Sequence, residues 1–179
     1  MLSVMLFFML FSSVDTVAAE MIEREYSCLA EEAVKKYPYI SADGRKTVIN
    51  PALVKALIYV ESRGKPDARS AVGAYGLTQI MPKTAELLGC DYEKLNIPPN
   101  AIGCSVKFLA ALLTYNKGDV VKSLSGYNGG TYSTEMKPTA ENGKLAGKIY
   151  ENPETKSYVV SVLRMFEYFK NRKNAKKCK

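Results

Sequence analysis

NPALVKALIYVESRG, residues 50–64, decides what kind of chain this is. Asn50 has a side-chain oxygen suited to capping a helix, and Pro51 needs no N–H in a first turn, so the pair marks a helix start. Val54, Leu57, Ile58 and Glu61 then follow at i, i+3, i+4 and i+7, one face of a helix running to about Ser62, with Gly64 as its stop. The stripe is apolar except at its last position. Glu61 faces the same way as the core residues beneath it, in the last turn, where the helix dipole disfavours negative charge. Desolvation and the dipole both push a carboxyl upward from an ordinary value of about 4.3. A carboxyl kept protonated near neutrality can act as a general acid. The plain alternative is a glutamate that snorkels or pairs with Arg63 or Arg69.

Outward from this helix, the chain reads as further helices with Gly/Pro punctuation. Tyr26, Leu29, Ala33 and Val34 give a helical period between Glu20 and Tyr37, and Asp43 to Lys46 is a polar turn. Pro82 to Leu88 is a short helix closed by Gly89. Ala101 to Leu113 is apolar nearly all round through Ile102, Val106, Phe108, Leu109, Leu112 and Leu113, as a central helix would be. Val120, Val121, Leu124 and Tyr127 predict another short helix, ended by Gly129-Gly130. Thr131 to Asn152 is polar and turn-rich, a loop or lid. A last helix runs from about Glu154 to Asn171 with Val159, Val162, Leu163, Phe166 and Phe169 inward. No stretch alternates over strand length. The fold class expected is mainly α, in one domain of ordinary size.

Composition narrows the chemistry. The 179 residues contain no histidine, which excludes Ser-His-Asp and Cys-His catalysis and His-ligated zinc. With no CxxC pair either, neither a metal nor a cofactor is expected. The net charge of +7 is concentrated in residues 170–179, where Lys170, Arg172, Lys173, Lys176, Lys177 and Lys179 stand with no acid. The rest of the chain is close to neutral, so no basic stripe for nucleic acid is present in it. The tail reads as a solvated terminus, or as a segment attracted to anionic wall polymers, lipid headgroups or an acidic partner.

The sequence predicts export. Met1 to Val14 is almost wholly apolar, too short to span a bilayer comfortably but suited to a signal-peptide core. Val17 and Ala19 are small residues at the usual cleavage positions, so residues 1–19 are expected to be removed and the mature chain to start at Glu20. No Lys or Arg precedes the apolar run, and uncleaved anchoring is the competing reading. A periplasmic or other envelope location follows. The mature part, residues 20–169 plus the basic tail 170–179, holds all four cysteines. An even number in an exported chain favours disulfides. The pairing expected is Cys90–Cys104, stapling a loop to the helix after it, and Cys28–Cys178, tying the ends together; the alternative is two or more free buried thiols.

Three motifs carry a resemblance. Glu61-Ser62 is followed by Ala68-Arg69-Ser70 and then by Gly73-Ala74-Tyr75-Gly76-Leu77-Thr78-Gln79-Ile80-Met81-Pro82. Further on come Tyr127-Asn128-Gly129-Gly130 and Glu154-Thr155-Lys156-Ser157-Tyr158-Val159. In this order and spacing they resemble the lytic transglycosylases of the soluble SLT type over about Val48 to Tyr168. Thr78 replaces the family's usual Met, Gly129 replaces an Ala, and Ala101, Ile102 and Ser105 stand where the family has Asn-Ile-x-x-Gly. The resemblance implies a lysozyme-like helical domain with a substrate cleft for peptidoglycan.

It also implies roles. Glu61 would protonate the leaving glycosidic oxygen and then act as base, while the substrate's N-acetyl group steadies the oxocarbenium-like cation. The C6 hydroxyl of the muramyl residue would attack C1, giving a 1,6-anhydro end. Asp67, Glu86, Asp91, Glu93 and Asp119 are available as a second carboxylate, but none lies in a motif or on an apolar stripe. Ser70 and Gln79 suit sugar and N-acetyl contacts, and Met81 suits an apolar subsite wall or the core. Tyr127 and Tyr158 would hydrogen-bond Glu61 or substrate, and Asn128 and Glu154 would contact substrate, Glu154 alternatively capping its helix. Gly73 and Gly76 would permit a tight turn against the cleft. The expected partners are glycan strands of peptidoglycan and a secretion or pilus complex, with the chain itself a monomer. Two other readings stand beside this one: a lysozyme-type hydrolase, and a non-catalytic peptidoglycan-binding assembly factor. Clearing of purified cell walls separates the last from the other two.

Overall fold

The structure, a computed structural model, describes residues 12–129, 152–172 and 178. Its elements in chain order are α1 (Ser12–Lys36), β1 (Tyr39–Ile40), β2 (Lys46–Thr47), α2 (Pro51–Ser62), α3 (Pro82–Leu88), a 3₁₀ turn (Tyr92–Lys94), α4 (Pro98–Tyr115), α5 (Val120–Gly129) and α6 (Pro153–Lys170). The fold is mainly α, as expected. The sheet is a two-stranded antiparallel ribbon pairing Tyr39 with Thr47 and Ile40 with Lys46, too short for alternation to reveal. The segment read as a loop or lid from Thr131 lies outside the described residues up to 151.

Helix ends follow local chemistry. Asn50 accepts from the Ala52 N–H at 2.9 Å and Pro51 opens α2, while Asn152 and Pro153 repeat the device at α6. Gly89 closes α3 with φ +63. At the end of α2 the left-handed residue at the cap is Arg63, φ 56, with Gly64 following at φ +80, so the stop comes one residue earlier than the glycine suggests. The central helix α4 starts at Pro98, because Pro98 and Pro99 sit in its first turn, where no N–H is needed. Helix α1 passes without a break through the expected cleavage point, and Ala19, Ile22 and Tyr26 on it are buried. Among the described residues, no helix is long and apolar enough to cross a membrane.

The core lies where α2 is enclosed by α1, α4 and α6. Leu57, Ile58, Ile102, Leu109, Leu113, Leu124, Val162 and Phe169 are buried in it. A buried ion pair joins three of the helices: Lys55 on α2 donates to Glu23 on α1 at 2.7 Å and lies over the ring of Phe169 on α6. Both expected disulfides are present, Cys28–Cys178 and Cys90–Cys104.

Candidate active site

Residues 69–80 form the wall opposite α2. Tyr75 makes isolated antiparallel bridges to Arg69 and Ile80, and its N–H and C=O both bond Ile80. Gly76, φ +81, is required here: a Cβ would lie 2.1 Å from the Leu95 carbonyl oxygen. The rim is tied by Tyr92, whose hydroxyl donates to the Gly73 carbonyl at 2.7 Å, and by Arg69, stacked 3.6 Å over the Tyr75 ring. Ser62 joins this wall to α2. Its hydroxyl donates to the Leu77 carbonyl at 2.7 Å, and it accepts from the Gly64 N–H.

Between the wall and the helices lies a cavity of about 330 Å³ lined by Glu61, Ser70, Gln79, Met81, Tyr127, Asn128 and Glu154. Seven of the residues singled out from sequence thus converge, and the eighth, Tyr158, donates to Glu61 Oε1 at 2.6 Å. Val72, Thr84 and Phe108 also line it and were not singled out. Phe108 reads as core, and Val72 and Thr84 have no periodicity to mark them. Ser62 bridges the wall and α2, and the signal for it in the sequence is a hydroxyl directly after the acid at the end of the helix.

Burial pushes Glu61 up to about 7, against a smaller downward pull from the Tyr158 hydrogen bond, which favours the carboxylate. Burial, with the nearby Glu61 charge, also holds Tyr127 and Tyr158 well above the usual phenol range, so both stay neutral donors. Neither arginine takes Glu61: Arg63 lies over Tyr59 and Arg69 over Tyr75.

The side chains around Glu61 take the following partners and places. Tyr127 does not bond Glu61; its hydroxyl donates to the Thr78 carbonyl at 3.0 Å. Thr78 is fully buried behind the cleft with its hydroxyl on the Ala101 carbonyl, so the Met-to-Thr change alters packing, not the cleft surface. Gln79 gives its amide nitrogen to the Ala68 and Gly76 carbonyls, which fixes the amide and leaves its oxygen for the cleft. Met81, 38% exposed, is a wall residue rather than core. Ser70 is partly used, accepting from the Ala74 N–H at 2.9 Å. Among the described residues, no three His, Cys, Asp or Glu side chains gather as a metal would require.

The fold and site thus define a helical domain with a cleft around the half-buried Glu61 carboxyl. The chain matches the Transglycosylase SLT domain over residues 38–150, more than half its length, and belongs to that family. It is 32% identical over 120 residues to the transglycosylase of Enterobacteria phage PRD1, covering 67% of this chain and 43% of that protein. Over 57 residues it is 39% identical to the membrane-bound lytic murein transglycosylase E of Buchnera aphidicola, 32% of this chain and 24% of that one. Among solved structures it superposes on an inactive mutant of the lytic transglycosylase Slt from Pseudomonas aeruginosa with TM-score 0.56 and 25% identity, covering 72% of this chain and 23% of that one. The 70 kDa soluble lytic transglycosylase of Escherichia coli gives TM-score 0.56 at 23% identity, over 78% and 24% of the two chains, a likeness of fold. The chain therefore spans less than half the length of these relatives.

Proposed function

We propose that this protein is a peptidoglycan lytic transglycosylase that cleaves the β-1,4 bond between N-acetylmuramic acid and N-acetylglucosamine with formation of a 1,6-anhydro end. The observation that carries this reading is the state of Glu61: a carboxyl pushed to about 7 by burial, in a cleft, oriented by Tyr158. Protonated Glu61 gives its proton to the glycosidic oxygen as the C1–O bond breaks. The resulting carboxylate then takes the proton of the C6 hydroxyl as that oxygen bonds C1, so Glu61 ends protonated and no water is consumed. Ser70, the Gln79 oxygen, Asn128 and Glu154 supply polar contacts to the sugars, and Met81 an apolar face. We place the enzyme in the cell envelope after export, as an accessory that opens the wall locally for a secretion or pilus machine.

One observation favours the hydrolytic alternative. Glu154, in the first turn of α6, puts a second carboxylate on the same cavity. Product analysis decides between them. Peptidoglycan is digested with the purified protein, and the soluble fragments are reduced with borohydride and weighed by mass spectrometry. The expected muramyl ends are lighter by one water and resist reduction, in the wild type and in Glu154→Gln alike. Predominantly reducible, full-mass ends would mean that water attacks C1 and would make Glu154 the candidate base.

A further inference from the structure

The turn that ends α2 is held from behind by α1, which lies outside the matched family segment of residues 38–150. Glu61 sits in the last turn of α2, and Ser62, Arg63 and Gly64 follow at once. The Tyr26 hydroxyl on α1 donates to the Gly64 carbonyl at 3.1 Å in a buried bond. Met21 and Ile22, one turn earlier on α1, pack so closely on Gly64 that a Cβ there would lie 2.3 Å from Met21 Cε and 3.0 Å from Ile22 Cγ1. Backbone rigidity at this turn passes to Glu61 through Ser62, whose hydroxyl accepts from Gly64 and donates to Leu77 on the cleft wall. Helix α1 itself is tied down by the buried Glu23–Lys55 pair and by the Cys28–Cys178 disulfide.

We infer that Tyr26 is a positioning residue for Glu61, acting through the Gly64 carbonyl at the turn that ends α2. The inference rests on the reading of Glu61 as the acid. Tyr26 touches neither substrate nor the carboxyl. It fixes the depth at which Glu61 sits, and depth is what keeps water from the carboxyl and keeps it protonated. The groups facing Glu61 are Tyr158 and Glu154 from α6 and Tyr127 from α5, with neutral Ser70 and Gln79 on the opposite wall; none of them changes in a Tyr26 variant.

The test compares wild type, Tyr26→Phe and Glu61→Gln as full, oxidised chains on purified peptidoglycan, with kcat and KM measured from about pH 5 to about pH 9. Tyr26→Phe removes one buried hydroxyl and should lower kcat roughly five-fold, the rate equivalent of one neutral hydrogen bond, with KM nearly constant. The falling limb of its pH profile should move to lower pH, because a loosened turn lets water reach Glu61 and its carboxyl drops toward the ordinary range. A Tyr26→Phe protein that only melts earlier, with kcat and the limb unchanged, overturns the inference while an inactive Glu61→Gln leaves the acid assignment standing. An active Glu61→Gln overturns both. If Tyr26→Phe does not fold by circular dichroism, Met21→Ala, which trims the half-buried side chain packed on Gly64 and leaves the Glu23–Lys55 pair and the Cys28–Cys178 disulfide in place, takes its place. There, too, an acid-ward limb supports the inference and an unmoved limb overturns it.

Discussion

At Glu61, one physical quantity sets both activity and stability. Burial raises the carboxyl from about 4.5 in the unfolded chain to about 7 in the fold, so the folded state holds its proton more tightly. A raised carboxyl favours folding at low pH, and the benefit is lost as pH rises from about 4.5 through about 7. Above that window the fold carries a buried charge, a cost of at most about 3 kcal/mol and less where the open side of the cleft admits water. Glu61→Gln keeps the shape and cannot ionise. Its turnover should fall by at least ~10²-fold, while its Tm advantage over wild type should be near zero at acid pH and grow as pH rises through neutrality. Equal melting curves for both proteins at every pH would show that Glu61 is not desolvated. Wild-type activity should fall above neutral pH, as the acid form disappears. Glu61 was legible because its place on the α2 stripe is a matter of local spacing. The partner of Tyr127 was not, since its Thr78 acceptor lies 49 residues away and a backbone carbonyl leaves no mark in a sequence.

The elements divide the same way, by the range of the forces that define them. The start of α2 at Pro51 and both ends of Pro82–Leu88 are readable to the residue because Asn50, Pro51, Pro82 and Gly89 act on their own neighbours. The start of α4 at Pro98 was missed because a proline pair reads as a break when it is in fact a first turn. The joint of α1, α2 and α6 is illegible in sequence. Lys55 sits midway along an apolar helix, where a lysine is usually solvated, and its partner Glu23 is 32 residues away on another helix. Once buried, the pair has a distinct mutational signature. Lys55→Met alone strands a buried carboxylate and should cost about 3–5 kcal/mol, whereas Glu23→Leu/Lys55→Met removes both charges and should lie close to wild type or above it. Denaturant midpoints of the two proteins check this. A double variant as unstable as the single one would show that the pair does more than neutralise itself.

Across the whole molecule, the two disulfides constrain different things, and their loss should be read by different measurements. Cys28–Cys178 joins residues 150 positions apart, close to the full span of the described chain, and ties α1 to the C-terminal end. In the chain-entropy model such a closure is worth about 5 kcal/mol, whereas Cys90–Cys104, with a separation of 14, is worth about 3 kcal/mol. Geometry reverses the order for the cleft. Cys90 follows the end of α3, whose opposite end carries Met81 and Thr84 into the cavity, and Cys104 anchors it to α4. Helix α3 has only seven residues, too short to hold its place without such an anchor. Cys28→Ser/Cys178→Ser should therefore lose the greater stability in denaturant and leave KM nearly constant. Cys90→Ser/Cys104→Ser should lose less stability and raise KM for glycan strands several-fold, because the wall bearing Met81 is released. An unchanged KM in the second variant would mean that the bridge from Tyr92 to Gly73, not the disulfide, sets the position of that wall.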